Sequence, residues 1–175
     1  MEKNYKEYLN DITTFVFDVD GVFTDGSVMI TESGDMLRSM NVKDGYALKT
    51  ALLRGYRVCI ITGGSSEGVR KRFEGLGVND IHLGAHQKLE VFAGFLKKYS
   101  LSTDEILYMG DDLPDIPPMG QVALPCCPQN AVPEVKEASR YISHKDGGKG
   151  CVRDVIEQVL KVRGDWNGNY SAKND

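Results

Sequence analysis

The chain has 175 residues, which is enough for one domain with a hydrophobic core. Its 41% hydrophobic and 26% charged residues are typical of a soluble protein, and a net charge of −4 without a basic block argues against nucleic acid as the main partner. No apolar stretch approaches the length of a membrane-spanning helix, and residues 1–7 are too polar for a signal peptide. We therefore expect a cytoplasmic protein with no membrane partner.

Short apolar runs alternate with helical patterns along the chain. The predicted strands are residues 12–17, 57–61, 80–83, 105–109, 121–124 and 140–142, and the predicted helices are residues 44–54, 65–76, 86–99, 130–138 and 150–162. This order predicts an α/β fold in which helices cover both faces of a doubly wound, mainly parallel, Rossmann-like sheet. Ligands of such sheets bind at the carboxyl ends of the strands.

Residues 26–40 depart from this alternation. Two apolar runs flank the polar segment 32–35, which predicts a protruding β-hairpin. A two-stranded ribbon is marginally stable alone, so it must pack on something, and another subunit is one candidate. We assign residues 1–163 to a single domain and residues 164–175 to a polar tail, which is expected to be flexible unless it docks.

The first predicted strand ends in Asp18-Val19-Asp20-Gly21. Because side chains alternate along a strand, the carboxylates of Asp18 and Asp20 point to the same side. Two adjacent carboxylates repel each other, and a cation with oxygen ligands relieves that repulsion. Taken alone, this pair is more typical of a strand that ends in a solvated acidic turn.

Three further polar signals lie at or near the ends of later predicted strands. Thr62-Gly63-Gly64-Ser65-Ser66 places a hydroxyl and backbone amides at a helix N-terminus, which favours an anion but is also typical of an ordinary capped turn. Lys88 lies near the start of a predicted helix, where most lysines are solvated. Gly110-Asp111-Asp112-Leu113-Pro114-Asp115 is a second acidic cluster, and acidic residues also cap helices without any ligand.

Together, the four signals supply the parts that phosphoryl transfer requires, on one edge of the predicted sheet. Their order along the chain resembles the haloacid dehalogenase superfamily of phosphatases, and the resemblance extends from residue 12 to about residue 160. The hairpin and one helix fill the interval from Asp18 to Thr62, so we expect no cap domain. A signal-receiver domain also uses Asp, Thr and Lys, but its phosphorylated Asp follows a middle strand.

The superfamily resemblance implies a role for each catalytic position. Asp18 would be the nucleophile that forms an aspartyl phosphate, and Asp20 the acid and base that serves the leaving group and then water. Thr62, the Gly63 amide and Lys88 would hold the phosphate oxygens.

The same resemblance implies a magnesium site. The ligands of Mg²⁺ would be the Asp18 carboxylate, the Asp20 backbone carbonyl and the Asp111 carboxylate, because hard oxygen ligands suit this ion. Asp112 and Asp115 would orient metal-bound waters and Lys88 from behind these ligands.

Three stretches, residues 18–26, 41–46 and 147–153, also resemble the family of 3-deoxy-D-manno-octulosonate 8-phosphate phosphatases. That family is capless, magnesium-dependent and homotetrameric, and it acts in lipopolysaccharide synthesis, with the hairpin and tail of neighbouring subunits near each site. The resemblance therefore implies an anionic sugar-acid phosphate as the substrate. It implies substrate contacts from Asp20, Asn41, Val42, Lys43, Asp44, Gly45, Lys49, Gly63, Gly64, Arg72 and Lys88.

Two positions depart from that family's pattern. Arg often follows the Thr-Gly pair where this chain has Gly64, and Arg is common where this chain has Lys49. A lysine cannot form the bidentate fork that an arginine makes to a carboxylate. Close relatives act on nine-carbon sialic-type sugar acid 9-phosphates, so that substrate stays open beside the eight-carbon one. A non-catalytic oligomerisation or regulatory relative and a receiver-like phosphoprotein are the remaining alternatives.

Overall fold

The fold of residues 4–166 is described by a computed structural model, and residues 1–3 and 167–175 lie outside the described part of the chain. The strands are β1 (Thr14–Phe17), β2 (Met29–Ile30), β3 (Met36–Leu37), β4 (Arg57–Ile61), β5 (Asp80–His82), β6 (Ile106–Met109), β7 (Leu124–Cys127) and β8 (Tyr141–Ile142). The α-helices are α1 (Tyr5–Tyr8), α2 (Val42–Leu53), α3 (Glu67–Gly75), α4 (Lys88–Tyr99), α5 (Ile116–Met119), α6 (Pro133–Ala138) and α7 (Cys151–Val162). Two 3₁₀ helices cover Thr103–Glu105 and Leu113–Asp115.

Six strands form one parallel sheet in the order β5-β4-β1-β6-β7-β8. The chain moves outward from β1 to β4 and β5, and then crosses back to place β6 on the other side of β1. Such a reversal opens a crevice at the carboxyl ends of the two central strands. Within residues 4–166, this architecture confirms the predicted doubly wound α/β fold with a hairpin, and no cap is evident.

Alternate residues of the central strands face opposite helix layers. Phe15 and Phe17 belong to the hydrophobic core that includes residues of α2, α3 and α7. Val16 belongs to a second core, which includes residues of α4 and α6. This alternation with a period of two, buried on both faces, is what makes β1 a continuous apolar run in the sequence.

The predicted strand 121–124 is wrong in its bounds, because β7 covers residues 124–127. The amides of Gln121 and Val122 donate to the carbonyls of Pro118 and Met119, so residues 120–123 form a turn after α5 instead of extending. Pro125, which opposes a central strand assignment in the sequence, lies within β7, and its carbonyl accepts a hydrogen bond of 2.8 Å from the Arg140 amide.

The hairpin is shorter than predicted but has the predicted form. In the antiparallel pair β2–β3, Met29 lies opposite Leu37 and Ile30 lies opposite Met36. Met29 and Ile30 are each 69% exposed, and Met36 and Leu37 are more than half exposed. The ribbon therefore presents an apolar surface that the rest of the described chain leaves uncovered.

Residues Gly164–Trp166, the start of the predicted tail, contact the domain. The Tyr56 hydroxyl donates to the Asp165 carboxylate at 2.6 Å, and the Trp166 ring lies edge-on to that of Tyr46 at 6.3 Å between centroids. The rest of the predicted tail, residues 167–175, lies outside the described residues, so its flexibility stays a prediction. Within residues 4–166, none of the helices has the length and apolar character needed to cross a bilayer.

Candidate active site

The four predicted motifs meet in one open cavity of about 440 Å³ at the carboxyl ends of β1, β4 and β6. Asp18 directly follows β1, and its amide donates to the Met109 carbonyl of β6 at 3.1 Å, so its backbone is fixed by the sheet. The lining residues are Asp18, Asp20, Gly26, Thr62, Gly63, Gly64, Ala85, His86, Lys88, Asp111, Asp112, Pro114 and Asp115. The chain thus brings its acidic clusters, its hydroxyl-glycine turn and Lys88 to the same place.

Lys88 forms a buried ionic bridge between two of the motifs. Its Nζ atom lies 2.9 Å from Asp18 Oδ1 and 2.8 Å from Asp115 Oδ1. The Tyr108 hydroxyl also donates to Asp115 Oδ1 at 3.0 Å, and the Asp111 amide donates to Asp115 Oδ2 at 3.2 Å. Because both oxygens of Asp115 accept hydrogen bonds, Asp115 holds Lys88 and the Asp111 backbone in place.

The site carries more negative than positive charge. Burial, with the charge of Asp115 adding to it and Lys88 opposing it, raises the pKa of Asp18 to about 6. Burial and then the charge of Asp18 raise the pKa of Asp111 to about 8. Burial lowers the pKa of Lys88, but Asp18 and Asp115 together outweigh that effect and its pKa is raised, so Lys88 is charged. A bound cation would lower the pKa values of Asp18 and Asp111 again.

Asp18, Asp111 and Asp115 each offer a carboxylate oxygen, and these three atoms lie within 4.8 Å of one another. Asp111 Oδ1 is buried and has no hydrogen-bond partner among residues 4–166, whereas both Asp115 oxygens accept hydrogen bonds. Gly21, at φ +86°, lies so close to the Asp111 carboxylate that a Cβ atom there would overlap it. The arrangement suits a hard cation held by Asp18 and Asp111.

The turn that follows β4 forms the opposite wall of the cavity. Thr62 is buried, and its hydroxyl accepts a hydrogen bond of 3.3 Å from the Gly64 amide. The Thr62 carbonyl accepts from the Ala85 amide at 2.9 Å, which joins this turn to the segment leading into α4. The turn is therefore a fixed element, with Gly63 exposed in the cavity wall before α3 begins.

Comparison with known proteins places this arrangement in a family. The model of the haloacid dehalogenase-like hydrolases matches residues 78–153. The 3-deoxy-D-manno-octulosonate 8-phosphate phosphatase of Salmonella typhi is 35% identical over 154 residues, which cover 88% of this chain and 82% of the relative. This chain belongs to the haloacid dehalogenase-like hydrolases. It is a phosphatase, as the combination of its four motifs predicted.

Solved structures agree with the assignment of this phosphatase to the haloacid dehalogenase-like hydrolases. The 3-deoxy-D-manno-octulosonate 8-phosphate phosphatase of Yersinia pestis has a TM-score of 0.92 at 29% identity, covering 96% of this chain and 91% of the other. The corresponding enzyme of Moraxella catarrhalis, solved in complex with magnesium ion, phosphate ion and a KDO molecule, has a TM-score of 0.90 at 32% identity, covering 93% and 94%. Both confirm the predicted fold and the predicted resemblance.

Two polar side chains that contact the predicted residues of this phosphatase site were not predicted. Arg38, just after β3, forms two hydrogen bonds to the Asp20 carboxylate. Tyr108, in the middle of β6, donates to Asp115. A tyrosine within an apolar strand does signal a hydroxyl that needs a partner, whereas nothing in the local pattern around Arg38 indicates its contact.

The predicted substrate-binding residues on α2 and α3 lie elsewhere. Within residues 4–166, the residues that line the catalytic cavity do not include Asn41, residues 42–45, Lys49 or Arg72. Asn41 and Lys43 instead line a second cavity of about 490 Å³ beside α7, and Gly45 packs against the Arg72 guanidinium. Asp112 is exposed, and its carboxylate caps the 3₁₀ helix at the Leu113 amide. The substrate contacts of these residues stay predictions.

Asp44 is completely buried between α2 and α7. Its Oδ1 atom accepts a hydrogen bond of 2.8 Å from the Arg153 amide, and its Oδ2 atom has no partner. Burial, partly offset by that hydrogen bond, raises the pKa of Asp44 to about 6. Because this folded-state pKa lies above the ordinary value of 3.8, the folded protein binds the proton more tightly, and stability is lost as pH rises from about 4 through about 6.

We expect Asp44→Asn to remove this loss of stability at higher pH. The asparagine side chain keeps an oxygen for the Arg153 amide but carries no charge, so the free energy of unfolding at pH 8 should rise relative to the parent by up to about 3 kcal/mol. At pH 4 the two proteins should be nearly equal. Urea denaturation at both pH values measures the difference, and an equal change at both would contradict the electrostatic reason. If the Asp44 side chain contacts substrate, KM will rise as well.

Proposed function

We propose that this phosphatase hydrolyses 3-deoxy-D-manno-octulosonate 8-phosphate to the free sugar acid and phosphate, as a step of lipopolysaccharide biosynthesis in the cytoplasm. The observation that carries the proposal is the buried Asp18–Lys88 pair, at 2.9 Å, in a cavity that also contains Asp20 and Thr62. The similarity to enzymes named for this reaction supports the substrate.

The cofactor in this proposal is Mg²⁺, held by the Asp18 and Asp111 carboxylates and the Asp20 backbone carbonyl. The partnerless Asp111 Oδ1 atom and the raised pKa values of Asp18 and Asp111 support a divalent cation here. When bound, the ion offsets the negative charge of the carboxylates and of the phosphate. In this proposal, Asp112 and Asp115 orient metal-bound waters and Lys88 and do not bind the ion directly.

In the proposed first step, an Asp18 carboxylate oxygen forms a bond to phosphorus while the bond from phosphorus to the sugar oxygen breaks. Asp20 transfers a proton to that leaving oxygen. Thr62, the Gly63 amide and the Lys88 ammonium hold the non-bridging oxygens, and the charge of Lys88 lets two anions approach each other.

In the second step, water attacks phosphorus and the Asp18–phosphorus bond breaks. Asp20 takes the proton from the attacking water, which returns Asp20 to the protonated form in which the cycle began. Phosphate and the free sugar acid are the products, and Asp18 is regenerated.

The proposal is tested by phosphate release from a panel of sugar phosphates with Mg²⁺. We expect kcat/KM for the eight-carbon sugar acid 8-phosphate to exceed that for neutral sugar phosphates by at least about tenfold, because a charge contact of the extra carboxylate is worth about 1.5–3 kcal/mol. EDTA should stop turnover, and excess Mg²⁺ should restore it. Turnover that survives EDTA would exclude the metal role.

A nine-carbon sialic-type sugar acid 9-phosphate is the second candidate substrate. Gly64 and Lys49 favour it, because both positions differ from the arginines common among eight-carbon enzymes. A larger kcat/KM for the nine-carbon substrate in the same panel would assign this alternative.

We further propose that the phosphatase is a homotetramer in which the hairpin and tail of neighbours complete each site. Two observations support this: the exposed apolar ribbon formed by β2 and β3, and the position of Asn41 and Lys43 away from the catalytic cavity. Substrate contacts from these residues would then come from a different subunit. Light scattering of the full chain should give four times the monomer mass.

A further inference from the structure

Asp20 and Arg38 form a two-pronged ion pair at the mouth of the cavity. Arg38 Nε lies 2.6 Å from Asp20 Oδ1, and Arg38 Nη2 lies 3.1 Å from Asp20 Oδ2. The Arg38 side chain is only 9% exposed, whereas that of Asp20 is 36% exposed and faces the cavity. In the described part of the chain, both hydrogen bonds of the Asp20 side chain come from this guanidinium.

A two-pronged ion pair of this kind fixes the orientation of the carboxylate as well as its distance from the guanidinium. The planar guanidinium aligns with the plane of the carboxylate, so it sets the rotation of the Asp20 side chain as well as its position. An exposed aspartate without such a partner would exchange between rotamers. Proton transfer requires the carboxyl group within about 2.6–3.2 Å of the reacting oxygen, and a misplacement of about 1 Å can cost about 100-fold in rate.

The glycine at position 64 provides room for this arrangement. A Cβ atom at Gly64 would make a tight contact of 3.3 Å with Arg38 Nη2 and would lie 3.4 Å from Asp20 Oδ2. Arg38 thus occupies the space beside the Thr62–Gly64 turn that a side chain at residue 64 would take. The hairpin, not the turn after β4, supplies the cation that pairs with Asp20.

The backbone of the hairpin holds Arg38 in turn. Arg38 follows β3 directly, and its Nη1 atom donates to the Met36 carbonyl at 3.2 Å. The guanidinium is therefore tied at one end to the hairpin and at the other to Asp20, and it does not line the catalytic cavity.

We propose that Arg38 is a positioning residue that orients Asp20 for proton transfer to the leaving oxygen. The inference rests on the proposed role of Asp20 in the phosphatase reaction. Because Arg38 acts through Asp20 and not on the substrate, its removal should slow the first step for substrates that need a protonated leaving group and spare that step for those that do not.

The test compares Arg38→Met with the parent on two classes of phosphate ester in the presence of Mg²⁺. The leaving group of an alkyl phosphate, such as the sugar acid phosphate or a neutral sugar phosphate, is a basic alkoxide that needs the proton from Asp20. The leaving group of 4-nitrophenyl phosphate is a weakly basic phenolate that does not need it. We expect the single-turnover rate constant for release of the leaving group to fall about 10- to 100-fold on the alkyl esters and to stay within about threefold on the aryl ester, with the apparent affinity for each substrate nearly unchanged.

Three variants serve as controls. Arg38→Lys keeps the charge without the fork and should recover part of the rate constant for leaving-group release from the alkyl esters. Arg70→Met removes an arginine of α3 that pairs with the largely exposed Glu67, and it should change neither class. In an Asp20→Asn background, Arg38→Met should cause no further loss, because the group that it orients is already absent.

The contrary results are distinct. Equal losses of this rate constant on alkyl and aryl esters, a loss expressed only in the apparent affinity for substrate, a further loss in the Asp20→Asn background, or no loss on the alkyl esters would each overturn the inference. Circular dichroism and urea denaturation of each variant separate misfolding from loss of positioning. The neutral sugar phosphate and the aryl ester make this test independent of the proposed eight-carbon substrate. If the substrate proposal is wrong, the kcat/KM values of the parent enzyme on the sugar phosphate panel will show it.

Discussion

Asp18→Asn should lower kcat by more than about 10⁴-fold on every phosphate ester, because it removes the nucleophile of the first step in the proposed reaction. The amide is a poor nucleophile, and the remaining binding groups cannot replace the covalent step. Single-turnover phosphate release with purified protein measures the loss. Activity within about tenfold of the parent would contradict the aspartyl-phosphate mechanism.

The fold should survive this substitution. Asp18 is buried, and burial together with the charge of Asp115 raises its pKa to about 6, so its charged form is already disfavoured. The neutral amide removes that repulsion and leaves Lys88 paired with Asp115 at 2.8 Å. The free energy of unfolding at pH 8 should therefore be equal to or greater than that of the parent. Asp11→Asn, at an exposed acid, is the matched control and should leave kcat unchanged.

Lys88→Met should have the second largest effect, because it acts on both stability and turnover. Lys88 is the cation between the buried carboxylates of Asp18 and Asp115. Breaking a buried pair by removing one partner costs about 3–5 kcal/mol of the free energy of unfolding. Loss of the ammonium should also lower kcat by about 100-fold or more, since in the proposed reaction it holds the phosphate oxygens. Urea denaturation and phosphate release measure the two effects.

The destabilisation by Lys88→Met should depend on pH in a defined direction. Lys88 lowers the pKa of Asp18, so its loss raises that pKa further, and the folded variant gains stability by taking up protons. The stability deficit relative to the parent should thus be largest at pH 8 and smaller at pH 5. Lys97→Met, at an exposed lysine of the same helix, should show no deficit at either pH. A deficit that is equal at both pH values would point to packing and not to charge.

The sequence was sufficient for those features that depend on local periodicity. The alternation around Phe17 placed Asp18 at a strand end, and the strand–helix order implied a parallel sheet whose ends converge. Because all parallel strands end on one edge, Thr62 and Asp111 could be assigned to the same cavity as Asp18 without any knowledge of distances.

Features that depend on tertiary contacts were not accessible in this way. The Arg38–Asp20 pair joins the hairpin to the loop after β1, and no spacing in the chain encodes that contact. Helix α5 contains two prolines and was not predicted, and the apolar residues after it were assigned to a strand that begins only at Leu124. The burial of Asp44 likewise depends on where α7 packs.

The segment Gly147–Gly148 supports the loop that contains the nucleophile. A Cβ atom at Gly147 would overlap the Gly21 carbonyl, and the Gly148 amide donates to the Val22 carbonyl at 2.9 Å. Contacts between residues so far apart in sequence form late, because the intervening chain must first be closed into a loop. A ribosome-bound chain in which residues 147–148 have not yet emerged therefore has Asp18 and Asp20 but not the support for their loop. Phosphatase activity should emerge only after residues 147–148 are free to fold, later than the strands of the sheet, all of which precede them in the chain.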